Sequence, residues 1–254
     1  MFENFYKSVW ESLEKNEKIK WLLRQHGDDF DSHVSNELLG RGQTVCDTAL
    51  LGQLYAYRYA PMHFFALRKV LPCMKCETRL IDFGTGPGTA LLAIADKTNQ
   101  IIHHVGLEIA EGMRLVCEDA ITLLASHIGE SVSHALPGKA FWEDAEGSSP
   151  EQQRVFMFSY FFGQDLNASF VQAVARTIKS IKRTNMTLIY TNPVGPYASW
   201  MPNNDIHHWY RRFCEVLGHE PKIRTTSYSY EALSNLAKRT KRRGECAYEV
   251  WSLT

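Results

Sequence analysis

The chain has 254 residues, 44% of them hydrophobic, and its 28 Lys+Arg are matched by 28 Asp+Glu. This predicts one large domain, or a core with an appendage, with apolar content enough to bury a core. Zero formal charge disfavours a globally basic nucleic-acid binder, though not a local patch, and no apolar run is long enough to span a bilayer. The opening residues lack the basic and apolar regions of a signal peptide. Six scattered cysteines suggest reduced thiols and a cytoplasmic protein. Cys73 and Cys76 form the one close pair, and no second Cys-x-x-Cys exists to complete a zinc site. No metal is therefore expected.

Residues 1 to about 72 read as helical. Phe5, Val9, Trp10 and Leu13, then Ile19, Leu22 and Leu23, recur at three- and four-residue steps. Asp31 or Ser32 is placed to cap a second helix. A third is expected over Asp47–Tyr59 with Asp47 at its N-cap, and Pro61 starts another that ends near Pro72. Strands then alternate with helices, at roughly 79–84, 101–108, 139–143, 154–161 and 185–191. That alternation predicts an α/β fold, a parallel sheet with helices on both faces. A helix is expected around Asp205–Leu217. The tail offers two more β runs, 222–230 and 247–253, separated by a short helix around 231–237. The basic run Lys238–Arg243 reads as a solvated loop between them. The organisation expected is a helical cap over 1–74 and an α/β domain over 75–254.

The most informative stretch is Arg79–Thr89. An apolar strand with Asp82 near its end runs into a loop holding Gly84, Thr85, Gly86 and Gly88, and an Ala/Leu-rich helix follows. Glycines let the backbone turn sharply and leave room for a ligand against it. The next strand ends in Glu108, followed by Ile109. A strand, a glycine loop, a helix and a second strand with a terminal acid, in that order, suit an adenosine cofactor. The spacing Gly84-x-Gly86-x-Gly88 differs from the dinucleotide fingerprint.

That spacing, with Asp82 two residues before the first glycine, resembles motif I of the class I S-adenosylmethionine methyltransferases. The resemblance covers residues 75–254 and implies a seven-stranded Rossmann-like sheet that binds S-adenosylmethionine. It implies that Asp82 holds the cofactor's ammonium and Glu108 its ribose hydroxyls. It also implies an adenine contact after the third strand, where Asp144 and Trp142 fit. From the N-terminal helices it implies an Arg or Tyr for the cofactor's carboxylate, which Arg58 and Tyr59 fit. The glycine loop together with Ser159–Leu166 is also similar to the mitochondrial small-ribosomal-subunit methyltransferase-like family, which is linked to ribosome assembly. That family's metal-binding cysteine cluster has no counterpart here.

Ligands in such folds bind beyond the carboxyl ends of the strands. Ser159 and Tyr160 end the fourth strand and are expected near the reacting centre, where an aromatic face favours a sulfonium. Asn192-Pro193 partly matches the Asp/Asn-Pro-Pro-aromatic tetrad of amino-group methyltransferases. It follows the fifth strand, however, and lacks the second proline. Asn192 and Tyr197 are still candidate substrate contacts. Among ten histidines, His63, His207 and His208 are candidate bases.

The function expected is an S-adenosylmethionine-dependent methyltransferase acting on a small molecule. Two alternatives share the cofactor. One is transfer or cyclisation of the aminocarboxypropyl chain with release of methylthioadenosine. The other is a non-catalytic RNA- or ribosome-associated factor, for which the basic run 238–243 speaks and the neutral total charge does not.

Overall fold

A computed structural model describes residues 1–42, 44–147, 152–163, 166–181, 185–194, 205–236 and 238–253. The N-terminal region opens with α1 (Phe2–Lys15), which buries Phe2, Phe5, Tyr6, Val9 and Leu13 along one stripe. Next comes α2 (Glu17–His26), capped by Asn16, whose side chain accepts from the Lys18 and Ile19 amides. An irregular helical passage over 27–42 includes α3 (Phe30–His33). The predicted cap at Asp31 or Ser32 does not form. Asp31 instead accepts from the Tyr57 hydroxyl at 2.7 Å and pairs with Arg242 at 3.3 Å.

The two helices expected on either side of Pro61 are one, α4 (Ala49–Val70), capped by Thr48 and not by Asp47. Proline inside a helix leaves the carbonyl four residues back without its donor. Here that carbonyl belongs to Tyr57, and the Tyr6 hydroxyl donates to it at 3.1 Å. A tertiary contact thus replaces the missing backbone bond and lets the helix continue.

The sheet contains β1 (Thr78–Phe83), β2 (Ile102–Leu107), β3 (Ile128–His134), β4 (Gln153–Ser159), β5 (Met186–Pro193), β6 (Arg224–Ser234) and β7 (Lys238–Leu253). Its order is β3-β2-β1-β4-β5-β7-β6. The first five strands are parallel, and β7 runs antiparallel to both β5 and β6. Between them lie α5 (Thr89–Ala95), α6 (Glu111–Leu123), α7 (Lys139–Glu146), α8 (Ala168–Ser180) and α9 (His208–Leu217). The seven-stranded Rossmann-like expectation therefore holds.

Three local expectations do not. The third strand lies at 128–134, and the segment 139–143 belongs to α7. The described part of the expected 231–237 helix is no helix: β6 runs on to Ser234 and turns at Asn235-Leu236, both with positive φ. The basic run 238–243 is consequently the start of β7 and not a loop.

Alternation along the central strands sorts their side chains between two cores. Leu80, Val155, Met157 and Ile189 join a cluster with α1, α4, α5 and α6. Ile81, Phe83, Phe156 and Phe158 join a second one with α7, α8 and α9. The N-terminal layer is held on closely. A Cβ on Gly112 at the start of α6 would sit 2.0 Å from the Thr48 carbonyl oxygen, and one on Gly52 in α4 would sit 2.1 Å from that of Gly112. Only glycine allows this approach. The long β6–β7 hairpin is fastened to the same layer. Tyr6 accepts from the Leu233 amide, Tyr57 from the Leu236 amide, and Trp10 donates to the Leu236 carbonyl, each at 3.1 Å. Among the described residues no helix is long and apolar enough to cross a membrane.

Candidate functional site

β1 and β4 lie side by side at the centre of the sheet, and the strand order runs outward from them in opposite directions. A crevice forms at such a reversal, beyond the carboxyl ends of the strands. A cavity of about 490 Å³ lies there. The loop after β1 forms its floor. Gly84, Gly86 and Gly88 take φ values of 70, 54 and 79°, the left-handed region that side chains resist. The loop is pinned to β2, since the Gly84 and Thr85 amides donate to the Leu107 carbonyl at 2.8 and 3.1 Å. β2 makes room for it with Gly106, whose Cβ would stand 2.6 Å from the Thr85 hydroxyl.

Asp82 shares its strand face with Leu80, beneath the N-terminal helices. It is fully buried, and neither carboxylate oxygen has a hydrogen-bond partner. Burial, and secondarily the Glu108 charge, push its pKa up to about 8. An unpartnered buried carboxylate is costly. It calls for a cation or donor that the fold itself does not supply.

Glu108 is better provided for. One oxygen accepts from the Gly86 amide and the other from the Ala110 amide, both at 2.9 Å. Arg114 donates to the Glu108 backbone carbonyl at 3.0 Å. These bonds fix the carboxylate over the loop and leave lone pairs free toward the cavity. Burial raises its pKa, partly offset by those backbone bonds.

The opposite wall comes from β4 and α4. Ser159, Tyr160 and Phe161 line it, with Tyr55 and His63 facing them. Tyr160 has φ of 60° although it is not glycine, a strained conformation held by its amide bond to the Thr191 carbonyl at 2.8 Å. Its ring stacks on His63 with centroids 3.7 Å apart. Burial drives His63 down to about 3, so the imidazole is neutral at physiological pH. Burial raises the Tyr160 hydroxyl well above its ordinary value.

The sequence-predicted residues divide as follows. Asp82, Gly84, Thr85, Gly86, Glu108, Ile109, Ser159 and Tyr160 all line this cavity, and Gly88 caps the helix that leaves it. Arg58, Tyr59 and Asn192 line a larger adjoining groove instead. Trp142 and Asp144 line neither. The strand that was to present them is α7. There Trp142 packs against Phe141 and Phe83, and the Asp144 carboxylate meets His134 at 2.7 Å. The place expected for them is filled by Ala135, Leu136 and Pro137, which follow the true third strand. Sequence reasoning missed these three because it missed the strand. It also missed Tyr55, whose only signal was its helical spacing to Tyr59 and His63. Tyr197 lies outside the described residues. His207 is engaged by the Tyr190 hydroxyl at 2.7 Å, and neither it nor His208 lines the cavity. Among the described residues no group of three or more His, Cys, Asp or Glu is placed to hold a metal.

No family model matches the chain. No curated protein matches it either. Among solved structures it is similar to a precorrin-6y C5,15-methyltransferase from Geobacter metallireducens, at 9% identity over 76% of this chain and 87% of that one, with a TM-score of 0.45. It is also similar to a SAM-dependent methyltransferase from Aquifex aeolicus, at 14% identity over 76% and 93% of the two chains, with a TM-score of 0.42. A third is the O-methyltransferase from Bacillus cereus in complex with SAH, at 13% identity, 86% and 89% coverage and a TM-score of 0.40. Likenesses this distant bear on neither activity nor substrate.

Proposed function

We propose that the chain is an S-adenosylmethionine-dependent methyltransferase acting on a small molecule. The unpartnered Asp82 carboxylate supports this most directly, because it shares one cavity with the glycine loop and with Glu108. The residues present fit the cofactor. Asp82 would hold its ammonium, and Glu108 would take the ribose hydroxyls with the lone pairs that Gly86 and Ala110 leave over. Ile109, Leu136 and Pro137 offer apolar surface for the adenine. Bound there, the cofactor would supply a methyl group on a positively charged sulfur.

The chain's own work is then mostly positioning. Tyr55 and Tyr160 present aromatic rings to the cavity, and a ring face attracts a cation. His63 adds no charge that would repel one, because burial keeps it neutral. Its imidazole can accept a hydrogen bond from an acceptor group without itself becoming charged. Residues 1–74 act as the cap, with α4 closing the cavity from above and selecting what reaches it.

Calorimetric titration with S-adenosylhomocysteine tests the first step, and absence of binding at millimolar ligand would end the proposal. Chromatography of turnover mixtures tests the second: S-adenosylhomocysteine as product supports methyl transfer, whereas methylthioadenosine would show that the aminocarboxypropyl chain is attacked.

A further inference from the structure

We propose that the groove adjoining the cofactor cavity binds the acceptor through an oxyanion, a carboxylate or a phosphate, taken by Arg58. This rests on the methyltransferase reading for what lies next door, but not for the anion site itself. The groove measures about 1600 Å³ and runs between α4, the 28–41 segment and the β6–β7 hairpin. Tyr55, His63 and Tyr160 line both it and the cofactor cavity. The His63–Tyr160 stack is thus a shared partition, and a molecule in the groove reaches the reacting centre beside it.

Arg58 differs from Arg68 and Arg242, which also line this groove. Arg68 is paired with Asp96 at 2.8 Å, and Arg242 with Asp31 at 3.3 Å. Arg58 has no carboxylate partner among the described residues, and its Nε is buried without an acceptor. Its guanidinium carbon lies 6.0 Å from the centre of the Tyr59 ring. A guanidinium cannot shed its charge, and leaving a charged donor buried and unpaired is costly. The groove leaves the partly exposed guanidinium open to an acceptor from outside the fold. A carboxylate or phosphate matches the planar fork two bonds at a time.

Another buried group on the same groove awaits a partner. Asn192 is fully buried and its Oδ1 accepts nothing, although its Nδ2 donates to the Ile206 carbonyl at 2.9 Å. The Tyr228 hydroxyl lies beside that of Tyr160, which also lines the groove. A partly buried cation whose Nε is shut off from water, beside neutral polar groups, suits a small anionic molecule. An RNA strand would need a row of exposed cations along its phosphates. Here the cations share the groove with four carboxylates, Asp28, Asp29, Asp31 and Glu245, and Arg68 and Arg242 are already paired.

The test is calorimetric titration of the whole chain with three probes, with and without saturating S-adenosylhomocysteine. The probes are 4-hydroxybenzoate, phenyl phosphate and the uncharged 4-hydroxybenzamide. At least one anion is expected to bind about tenfold or more tightly than the amide, and the tighter of the two identifies the preferred oxyanion. Arg58→Gln should erase that preference while leaving S-adenosylhomocysteine affinity unchanged. Arg58→Lys should keep part of it, and serves should the glutamine variant melt early by circular dichroism. Equal binding of amide and anions would overturn the proposal. So would a preference that survives in both variants, or a uridine dodecamer that binds more tightly than either anion and ignores Arg58→Gln. A loss of S-adenosylhomocysteine affinity in Arg58→Gln would also overturn it, by moving Arg58 to the cofactor. Cofactor binding without anion preference sinks the anion site alone. Anion preference without cofactor binding sinks the methyltransferase reading alone.

Discussion

If Asp82 holds the cofactor's ammonium as proposed, cofactor affinity depends on pH. Its pKa stands at about 8 in the free protein, because burial and the neighbouring Glu108 both disfavour the charge. To pair with an ammonium the carboxylate must be ionised. At pH 6 about one molecule in a hundred is ionised, and at pH 7 about one in ten. Affinity for S-adenosylhomocysteine should therefore rise about tenfold from pH 6 to pH 7, with close to one proton released per ligand bound. It should level off above pH 8, where most of the Asp82 carboxylate is already ionised. The assay is titration calorimetry in two buffers of different ionisation enthalpy, which counts the proton directly. Asp82→Asn should bind with a flat profile and release nothing. A flat profile in the wild type between pH 6 and 7.5, or an unchanged slope in the variant, would refute the reasoning.

The same shift acts on stability with a definite sign. An unfolded aspartate ionises at about 3.9, whereas the folded group holds its proton up to about 8. Between those values the native state binds the extra proton, so the free protein loses stability as pH rises, by at most about 1.4 kcal/mol per unit from this group. Asp82→Asn should remove that slope, and thermal melts at pH 5 and 7 would show it.

Glu108→Gln should weaken S-adenosylhomocysteine binding by roughly 10- to 100-fold. It keeps one acceptor for the Gly86 or Ala110 amide but loses the charge; calorimetry at pH 7.5 checks it. Tyr6→Phe leaves both the Tyr57 carbonyl and the Leu233 amide without partners. Urea unfolding should show a loss of about 2–5 kcal/mol, and a neutral result would mean that the hydroxyl is not what carries α4 through Pro61. Gly112→Ala puts a methyl 2.0 and 2.4 Å from the backbone oxygens of Thr48 and Cys46. Neither can yield cheaply, so a loss of at least about 3 kcal/mol is expected, and a variant that melts like the parent would disprove the close packing of α4 on α6.

The parts of the fold that were legible share one property: their local pattern and their tertiary role agree. β1 is buried along its whole length, so Leu80, Ile81 and Phe83 read as a strand running into a glycine loop, and Asp82, the glycines and Glu108 followed from that order. β3 is an edge strand with Gly129, Glu130, Ser131 and Ser133 along it. It has no apolar run to betray it, and the richer Ala140-Phe141-Trp142 stretch drew the assignment to what is a helix. The error carried Trp142 and Asp144 with it. The segment Glu231–Ala237 is rich in helix formers, yet Tyr6, Tyr57 and Trp10 hold the backbone of Leu233 and Leu236 in a hairpin. Those bonds join residues more than 170 positions apart. No local window can contain them, and propensity yields to such contacts. Pro61 misled for the same reason, since its compensating donor sits on α1.

The strain at Tyr160 bears on why two cavities meet where they do. A left-handed conformation costs a side-chain-bearing residue roughly 1–2 kcal/mol, and it persists only where the surroundings enforce it. The Thr191 carbonyl holds the Tyr160 amide, and the ring is clamped against His63. Relaxing the backbone would swing the ring away and merge the cofactor cavity with the groove beyond it. On the two proposals above, the strained turn would thus keep an aromatic wall between the cationic cofactor and the acceptor's anion. Without that wall the two charges could pair directly, and the acceptor's anion, rather than its nucleophile, would lie beside the reacting centre.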